Sequence, residues 1–428
     1  MHLTWVQIVR LGLVQMALGS IVVLTTSTLN RLMVVELALP AVLPGMLVAL
    51  HYGIQITRPN WGFLSDTGGR RTLFIIGGMA ALAAGALTAS LAIPLFETSF
   101  AAGLAVSILA YALIGLGVGA SGTALLALLA TATEPRRRAA AATITWLMMV
   151  FGIAVTAGTV GMLLEPYSHA RLVEIVASVG AFAVILTTLA IWGIERRVTV
   201  RPEPEQGRFR DGIAEIWAEP RARMFTLFVF VSMTAYFMQE LIMEPYAGLV
   251  FGFTPGQSTS LAGAQNGGVF LGMVIVGVAA TGFRLGSLRN WVVAGCLGSA
   301  ASLCAISAIG QTGAALLVPA VVLMGVFNGM FAVAAIGSMM SLAGEGRQKR
   351  EGTRMGLWGA AQAIAAGFGG LLGAAAVDAM RAIMSDPSAF GTVFIAEAVL
   401  FLAAAAMALR IMDSAPAPSA PRNLVPGE

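Results

Sequence analysis

The chain has 428 residues, of which 58% are hydrophobic and only 11% are charged, and its formal net charge is +4. Soluble proteins carry about 25% charged residues, so this composition excludes an ordinary soluble protein. The basic residues are spread over many short segments. Since they form no basic domain, they do not support nucleic-acid binding.

Apolar stretches of about 20 residues, the length that spans a bilayer as a helix, recur along the whole chain. We therefore predict an all-α integral membrane protein with twelve transmembrane helices, for which the lipid bilayer is the first partner. The predicted spans are approximately 11–30, 38–57, 73–95, 103–131, 140–163, 172–192, 223–243, 259–281, 291–309, 313–341, 355–377 and 390–411.

Basic residues are distributed unevenly between the two sides of these spans. Only Arg31, Arg171 and Arg381 fall on one side, and the other 22 of the 25 Lys and Arg residues fall on the opposite side. Cytoplasmic loops of membrane proteins carry the excess of Lys and Arg. The distribution therefore predicts that the N- and C-termini are both cytoplasmic.

The densest group of charges in the first 130 residues lies between the second and third spans, in the segment Gly62-Phe-Leu-Ser-Asp66-Thr-Gly-Gly69-Arg70-Arg71. Its glycines allow a tight turn, and its charged side chains suit the ends of neighbouring helices. The spacing resembles the loop signature between helices 2 and 3 of the major facilitator superfamily. A shorter copy that lacks the acid follows the eighth span, at 282–289. The resemblance implies a major facilitator fold, in which two six-helix halves are parallel repeats.

A charged segment that contains several prolines divides the spans six and six. We predict four regions: an N-terminal half at 1–192, a cytoplasmic linker at 193–222, a C-terminal half at 223–411 and a disordered tail at 412–428. Apolar residues at 213–217 have helical spacing, which fits an amphipathic helix on the membrane surface. A solvated loop fits the same residues, and the sequence leaves both interpretations open.

Polar side chains near the outer ends of the first and seventh spans occupy equivalent places in the two halves. They are Asn30, Arg31 and Glu36 in one half, and Gln239, Glu240 and Glu244 in the other. A charged residue at the centre of a membrane helix costs about 2.5–3.5 kcal/mol, so these residues are candidates for a binding site or a gate. We expect the two sets to face each other, with Arg31 paired to Glu240 or Glu244. An ion-pair cluster that only holds the halves together fits as well.

Missing motifs exclude several activities. The chain has no Asp-x-x-x-Asp pair to hold a magnesium diphosphate, which argues against a prenyltransferase, and no P-loop for ATP. Antiporters of the superfamily commonly carry an arginine four residues before a glycine in helix 4, where this chain has Tyr111 and Leu113. We predict that the protein is not an enzyme, and proton-coupled drug antiport is disfavoured.

Three further stretches carry distinctive motifs: 29–40 with Asn30-Arg31 and Glu36, 239–252, and 325–329 together with 354–362. The second contains Gln-acid-x-x-x-Glu-Pro-Tyr, a run rarely expected by chance in a membrane helix. Together they resemble the PucC/LhaA family of photosynthetic bacteria, a branch of the major facilitator superfamily. Within that family the likeness is greatest to the member associated with bacteriochlorophyll synthesis.

This resemblance implies a photosynthetic membrane protein that binds or delivers bacteriochlorophyll, or a late precursor, for light-harvesting complex assembly. It implies the bacterial inner, intracytoplasmic photosynthetic membrane as the location. Antenna polypeptides or bacteriochlorophyll synthase would be its partners. The pigment would be cargo, and no covalent cofactor is expected. Two alternatives stay open: a secondary transporter of a small soluble substrate, and a pigment-free scaffold for antenna polypeptides.

Other polar residues lie deeper in the predicted spans and are further candidates for the site. Gln265 and Asn266 precede two glycines, where amides can line a cavity, and Asn328 and Gln362 belong to later spans. His51 is a weaker candidate, as a ligand for the magnesium of a tetrapyrrole. A hydrogen-bonded contact between helices is the plainer interpretation of His51. We predict no other metal site.

Overall fold

The computed structural model describes residues 2–58, 61, 71–134, 137–195, 217–283, 285–313, 315–344 and 351–412. These ranges are mostly helical and contain no strand. Twelve long helices follow one another in them: α1 (Trp5–Glu36), α2 (Val42–Ile54), α3 (Arg71–Thr98), α4 (Phe100–Ala132), α5 (Arg138–Leu163), α6 (His169–Ile191), α7 (Pro220–Phe251), α8 (Pro255–Gly277), α9 (Leu288–Thr312), α10 (Leu317–Gly344), α11 (Glu351–Arg381) and α12 (Asp386–Ile411).

Eleven helices in the described part of the chain are long and apolar enough to cross a membrane. The twelfth, α2, is an apolar helix of 13 residues that continues into a 3₁₀ turn at Gln55–Thr57. The predicted all-α membrane fold is confirmed. Helices coincide with the apolar segments because a chain in lipid has to pair its backbone groups internally.

The helices differ from the predicted spans at their ends. Hydropathy marks the part of a helix that lies in lipid, whereas capping residues set where the helix begins. Helix α4 begins at Phe100, three residues before the predicted span, because Ser99 caps it: the Ser99 hydroxyl accepts from the Ala102 N–H. Conversely, α2 begins four residues after its predicted start, because Ala38 has a positive φ of 50° and turns the chain.

Several predicted features lie outside the described residues. They are most of the linker, the tail after Met412, and Gly62, Asp66, Gly69 and Arg70 of the loop motif. The last residue of that motif, Arg71, is described. Its guanidinium donates to the Ala127 carbonyl at 3.1 Å and to Thr131 Oγ1 at 2.5 Å, which attaches the start of α3 to the end of α4.

Buried apolar side chains form two large clusters. The first extends from Leu3 to Ile194 and also includes Leu241 and Ala262. The second extends from Phe225 to Met412. Contacts between these two parts of the chain occur where α1 packs on α7, α2 on α11, and α5 on α8. These contacts position the candidate site.

One end of the molecule brings together the chain around Glu36 and the connections that follow α5, α7 and α11. Contacts at this end join Arg31 to Phe253 and the start of α2 to Asp378. We call it the Glu36 end. It comprises residues 36–42, 163–169, 251–256 and 378–386.

Candidate binding site

The first helix is irregular where polar residues enter it. α1 is wound as a π-helix at Leu24–Thr28 and again at Leu32–Glu36. Such turns are rare and occur frequently at functional sites. The first coincides with the run Thr-Thr-Ser-Thr at 25–28, all of which is buried. The sequence prediction missed this run, although four consecutive hydroxyl residues in an apolar span were a visible signal.

Asn30 joins α1 to α7 where α7 lacks one of its own hydrogen bonds. Pro245 has no N–H, so the carbonyl of Leu241, four residues earlier, has no helical donor at that position. The Asn30 amide takes this place, with Nδ2 2.7 Å from the Leu241 oxygen. The proline of the Glu-Pro-Tyr sequence and the asparagine of α1 therefore belong to one contact.

Arg31 is buried, at 2% exposure, and its guanidinium bridges two segments. One nitrogen contacts the carboxylate of Glu36, and the other donates to the Phe253 carbonyl at 2.7 Å. The prediction paired Arg31 with Glu240 or Glu244, whereas the structure pairs it with Glu36 of its own helix. The π-helical turn explains the difference, because it hydrogen-bonds residues five apart and so places Glu36 over Arg31.

The acids of α7 face α1 nevertheless. Glu240, Glu244 and Gly248 stand at intervals of four residues and share one face of the helix. Glu240 interacts with the Thr26 side chain, and Glu244 lies in the electrostatic field of Arg31. The Arg31 guanidinium lies beside Gly248, since a Cβ added at Gly248 would be 3.3 Å from Arg31 Nη2. The two predicted polar sets are thus adjacent, but in the described part of the chain no hydrogen bond joins Arg31 to either acid.

Several buried polar atoms on the three helices that meet here, α1, α7 and α8, have no hydrogen-bond partner among the described residues. They are Ser27 Oγ and Arg31 Nε on α1, both amide atoms of Gln239 and both carboxyl oxygens of Glu244 on α7, and Ser258 Oγ on α8. The hydroxyls of Thr28 and Thr259 lie 3.1 Å apart, so α1 and α8 touch here. We call the five residues with unpaired atoms, Ser27, Arg31, Gln239, Glu244 and Ser258, the polar crossing. Buried polar groups are nearly always paired, so the polar crossing is suited to water or a ligand.

The deeper amide candidates do not form one group. Asn328 accepts from Ser299 at 2.7 Å and belongs to the packing of α10 on α9. Asn266 donates at 3.0 Å to a carbonyl of its own helix. Gln265 and Gln362 are half-buried on α8 and α11. No hydrogen bond within the described ranges connects these four residues to the polar crossing.

His51 is buried in α2 and forms part of a polar chain along that helix. Its Nε2 lies 3.1 Å from the amide nitrogen of Gln55, and Gln55 Oε1 accepts from Arg58. An amide nitrogen can only donate, so Nε2 accepts and Nδ1 carries the hydrogen. In this arrangement the imidazole has no free lone pair for a metal. Its hydrogen bond stays within α2 and the turn that follows it, so in the described residues it is not the contact between helices that the sequence suggested.

Two carboxylates at the Glu36 end cap helices across the molecule. Asp378 of α11 accepts from the N–H groups of Ala41 and Val42 at 2.9 and 2.7 Å, at the start of α2. Glu165, after α5, accepts from the N–H of Gly256 at 3.0 Å, at the start of α8. A carboxylate in this position satisfies free N–H groups and the helix dipole. The sequence prediction missed both caps, because each joins residues far apart in the chain.

The connection between α5 and α6 borders the contact of Arg31 with Glu36. Tyr167 Oη lies 3.1 Å from His169 Nδ1, and His169 Nε2 lies 3.1 Å from Glu97 Oε1. Burial, together with the carboxylates of Glu36 and Glu97, raises the pKa of Tyr167 to about 12. The phenol therefore stays protonated at neutral pH and is a neutral hydrogen-bond partner of His169.

Residues 28–415 match the profile of the family described as PUCC protein, which covers most of the chain and all of the polar crossing except Ser27. This chain belongs to the PucC family. The resemblance seen in its sequence motifs is confirmed.

Curated relatives of this PucC-family chain match it over nearly its whole length. It is 67% identical to the "Bacteriochlorophyll synthase 44.5 kDa chain" of Rhodobacter capsulatus, with 96% of each chain covered. It is 28% identical to "Protein PucC" of the same organism, with 95% of this chain and 92% of the relative covered.

Solved structures with the same fold are transporters of the major facilitator type. The nucleoside transporter NupG has a TM-score of 0.68 at 14% identity and covers 95% of this chain and 99% of its own. A bacterial homologue of the human lysosomal transporter Spinster has a TM-score of 0.71 at 14% identity, with 95% and 96% covered. At such low identity the likeness shows the fold of the PucC-family chain and nothing about its cargo.

The polar crossing of this PucC-family protein combines hydrogen-bond donors and acceptors on three helices that contact one another. Its hydroxyls, carboxamide and guanidinium can donate, while the amide and carboxyl oxygens can accept. The set is therefore suited to hold the polar part of a ligand that carries oxygen atoms.

Proposed function

We propose that this PucC-family protein binds bacteriochlorophyll, or a late precursor, and delivers it for light-harvesting complex assembly. The observation that carries the proposal is the polar crossing, where seven buried side-chain atoms have no hydrogen-bond partner in the part of the chain that the structure describes. The name of the relative at 67% identity, a bacteriochlorophyll synthase chain, supports the choice of pigment. The bacterial inner photosynthetic membrane, with both termini in the cytoplasm, is the proposed location.

The chemistry of the pigment suits these groups. A bacteriochlorophyll carries carbonyl and ester oxygens around an apolar macrocycle, and these oxygens accept hydrogen bonds from Ser27, Gln239, Ser258 and Arg31 Nε. Oxygen atoms are the ligands that magnesium prefers, and Glu244 and Gln239 supply them. Leaving a buried polar group unpaired costs about 1–3 kcal/mol, so each new bond favours the bound state.

We assign no reaction to the protein, despite the name of its relative. The sequence has no aspartate pair for a magnesium diphosphate. In the ranges that the structure describes, no three His, Cys, Asp or Glu side chains are placed to share a metal ion. In this proposal the protein acts by binding and hand-over, with antenna polypeptides or bacteriochlorophyll synthase as receiving partners.

A secondary transporter of a small soluble substrate is the alternative, and the fold favours it. The solved structures that this chain resembles include a nucleoside transporter and a lysosomal-transporter homologue. In this hypothesis the polar crossing binds the soluble substrate, and the contacts at the Glu36 end open and close during transport.

Purification from a pigment-producing host, followed by an absorption spectrum, tests the proposal. We expect retained bacteriochlorophyll in the wild-type protein, and its loss in Arg31→Ala and Glu244→Ala variants that still elute as folded protein. Colourless protein that co-purifies with antenna polypeptides would contradict pigment binding and favour the scaffold. Colourless protein that takes up a soluble substrate in proteoliposomes would contradict it and favour the transporter.

A further inference from the structure

Glu397 is an acid near the middle of the last helix. It lies eleven residues after the start of α12 and fourteen before its end, about 16 and 21 Å by helical rise. Its side chain is 0% exposed, and neither carboxyl oxygen has a hydrogen-bond partner among the described residues. Phe394 and Ala398, its neighbours on α12, belong to the second cluster of buried side chains, so the acid lies inside the second half.

Three phenylalanines show which helices surround this acid. The ring of Phe331 on α10 has its centroid 6.1 Å from that of Phe401 on α12 and 6.3 Å from that of Phe228 on α7. Helices α10 and α12 run in the same direction, because Ser338 contacts Met412 further along both helices.

Helix α7 runs in the opposite direction, since Tyr246, late in α7, contacts Phe390, early in α12. Residues three or four apart share a helix face. One turn from the three phenylalanines, in the same direction along the bundle, the inward faces therefore present Glu397 on α12, Asn328 on α10 and Ser232 on α7.

These residues form a polar layer inside the second half. Ser299 of α9 donates to Asn328 Oδ1 at 2.7 Å, and Ser232 donates to the carbonyl of Phe228 at 2.7 Å. Asn328 Nδ2, like the carboxyl of Glu397, has no partner among the described residues. All four side chains are 0% exposed. We call Ser232, Ser299, Asn328 and Glu397 the buried polar layer.

No cation in the described ranges is paired with the carboxyl of Glu397. Helix α7 turns Tyr246 toward α12, and α9 turns the buried thiol of Cys296 toward it, while α10 has no titratable side chain. The described charged side chains of α11, Asp378 and Arg381, are bound at the Glu36 end. An ionised Glu397 would therefore be an isolated charge in a dry interior.

An isolated carboxylate in such surroundings is strongly disfavoured, and the group takes up a proton instead. A hydrated glutamate, by contrast, ionises above about pH 4.3. We propose that Glu397 is a proton-binding site, which takes up one proton when α7, α9, α10 and α12 close around it. It releases the proton when water reaches the buried polar layer, so the packing of the second half depends on proton concentration.

The pH dependence of unfolding by SDS in mixed micelles tests this site, because unfolding hydrates Glu397 and releases its proton. From about pH 6 to about pH 8, the unfolding equilibrium constant of the wild type should rise tenfold per pH unit relative to that of Glu397→Gln. The folded state binds one proton more than the unfolded state over this range, so stability falls as pH rises, and glutamine has no such proton to lose. Glu174→Gln, at an exposed acid on α6, is the matched control and should keep the wild-type slope.

Infrared absorption detects the proton directly. Wild-type protein at neutral pH should show a carbonyl band of a protonated carboxylic acid that Glu397→Gln removes, and Glu397→Leu replaces this variant if it fails to fold. Equal pH slopes for the wild type and the variant would overturn the proposal, and so would an unchanged carbonyl band. Stabilisation of the wild type alone by sodium at constant ionic strength would also overturn it, because the acid would then be charged and hold a metal cation. Pigment takes no part in these measurements, so the proposed function is tested separately.

Discussion

At the scale of single residues, Pro245 has a definite structural cost that Asn30 offsets. The proline leaves the Leu241 carbonyl without its helical donor, and the Asn30 amide supplies one from α1. In lipid no water can take that position. The contact explains why an asparagine and a Glu-Pro pair, distant in sequence, occur together at this crossing.

We predict that Asn30→Leu lowers the free energy of unfolding by about 1–3 kcal/mol, because it leaves the Leu241 carbonyl unpaired. The loss should be smaller in a Pro245→Ala background, where residue 245 regains an N–H for that carbonyl. Unfolding by SDS in mixed micelles measures both values.

Asn266→Leu is the control for the comparison of Asn30→Leu with and without Pro245→Ala. Its amide bonds Ala262, a carbonyl that already has a helical donor in the Asn266 N–H, so the loss should be well below that of Asn30→Leu. Equal losses in the presence and absence of Pro245 would show that Asn30 does not act through the Leu241 carbonyl.

The sequence could predict that polar residues of α1 and α7 lie close together, but it did not predict how they pair, and it missed Ser27 and Ser258. The predicted partners of Arg31 were Glu240 and Glu244, although Glu36 is also an acid near the same end of a span. The π-helical turn at 32–36 decided for Glu36. Such a turn has no sequence signature as clear as a proline or a cap, so this pairing required the structure.

At the scale of helices, the caps by Asp378 and Glu165 connect α11 to α2 and α5 to α8. The two pairs are equivalent in the two halves, because α11 occupies the place of α5 in the second half and α8 occupies the place of α2. Each carboxylate replaces solvent at two neighbouring donors. The caps were not predictable, because an acid at the end of one span gives no indication of which distant helix it meets.

We predict that Asp378→Ala destabilises the start of α2, with a loss of about 0.5–2 kcal/mol, the usual value of a cap. Hydrogen exchange followed by mass spectrometry should show faster exchange at residues 41–43 and unchanged exchange at 254–257. Glu165→Ala should give the reverse pattern, so each variant is the control for the other. Faster exchange at both segments in either variant would contradict two independent caps.

At the scale of the whole molecule, composition and spacing were sufficient for the fold. Apolar length predicted the helices, and lipid enforces helical structure on such segments. The charged loop motif pointed to the superfamily, although its residues 62–70 lie outside the described structure.

In the described residues, the hydrogen bonds between helices α1–α6 and helices α7–α12 lie toward the Glu36 end: Thr28 with Thr259, Asn30 with Leu241, Arg31 with Phe253, and the two caps. We predict that spin labels at Ser168 and Ser385, two exposed residues of this end, give a narrow distance distribution. Combining Arg31→Ala with both cap variants should broaden it. An unchanged distribution would contradict the assignment of these contacts as the closure of that end.

The central claim is that the polar crossing keeps Gln239 unpaired for a ligand, and Gln239→Leu tests it most directly. Neither amide atom has a partner among the described residues, so the substitution should leave the thermal unfolding midpoint unchanged or raise it. Pigment affinity should fall about tenfold, the equivalent of one lost hydrogen bond of about 1.4 kcal/mol. Ser302→Ala, which removes a hydroxyl bonded within α9, is the matched control and should change affinity little. Unchanged pigment affinity in a stable Gln239→Leu protein would contradict the claim.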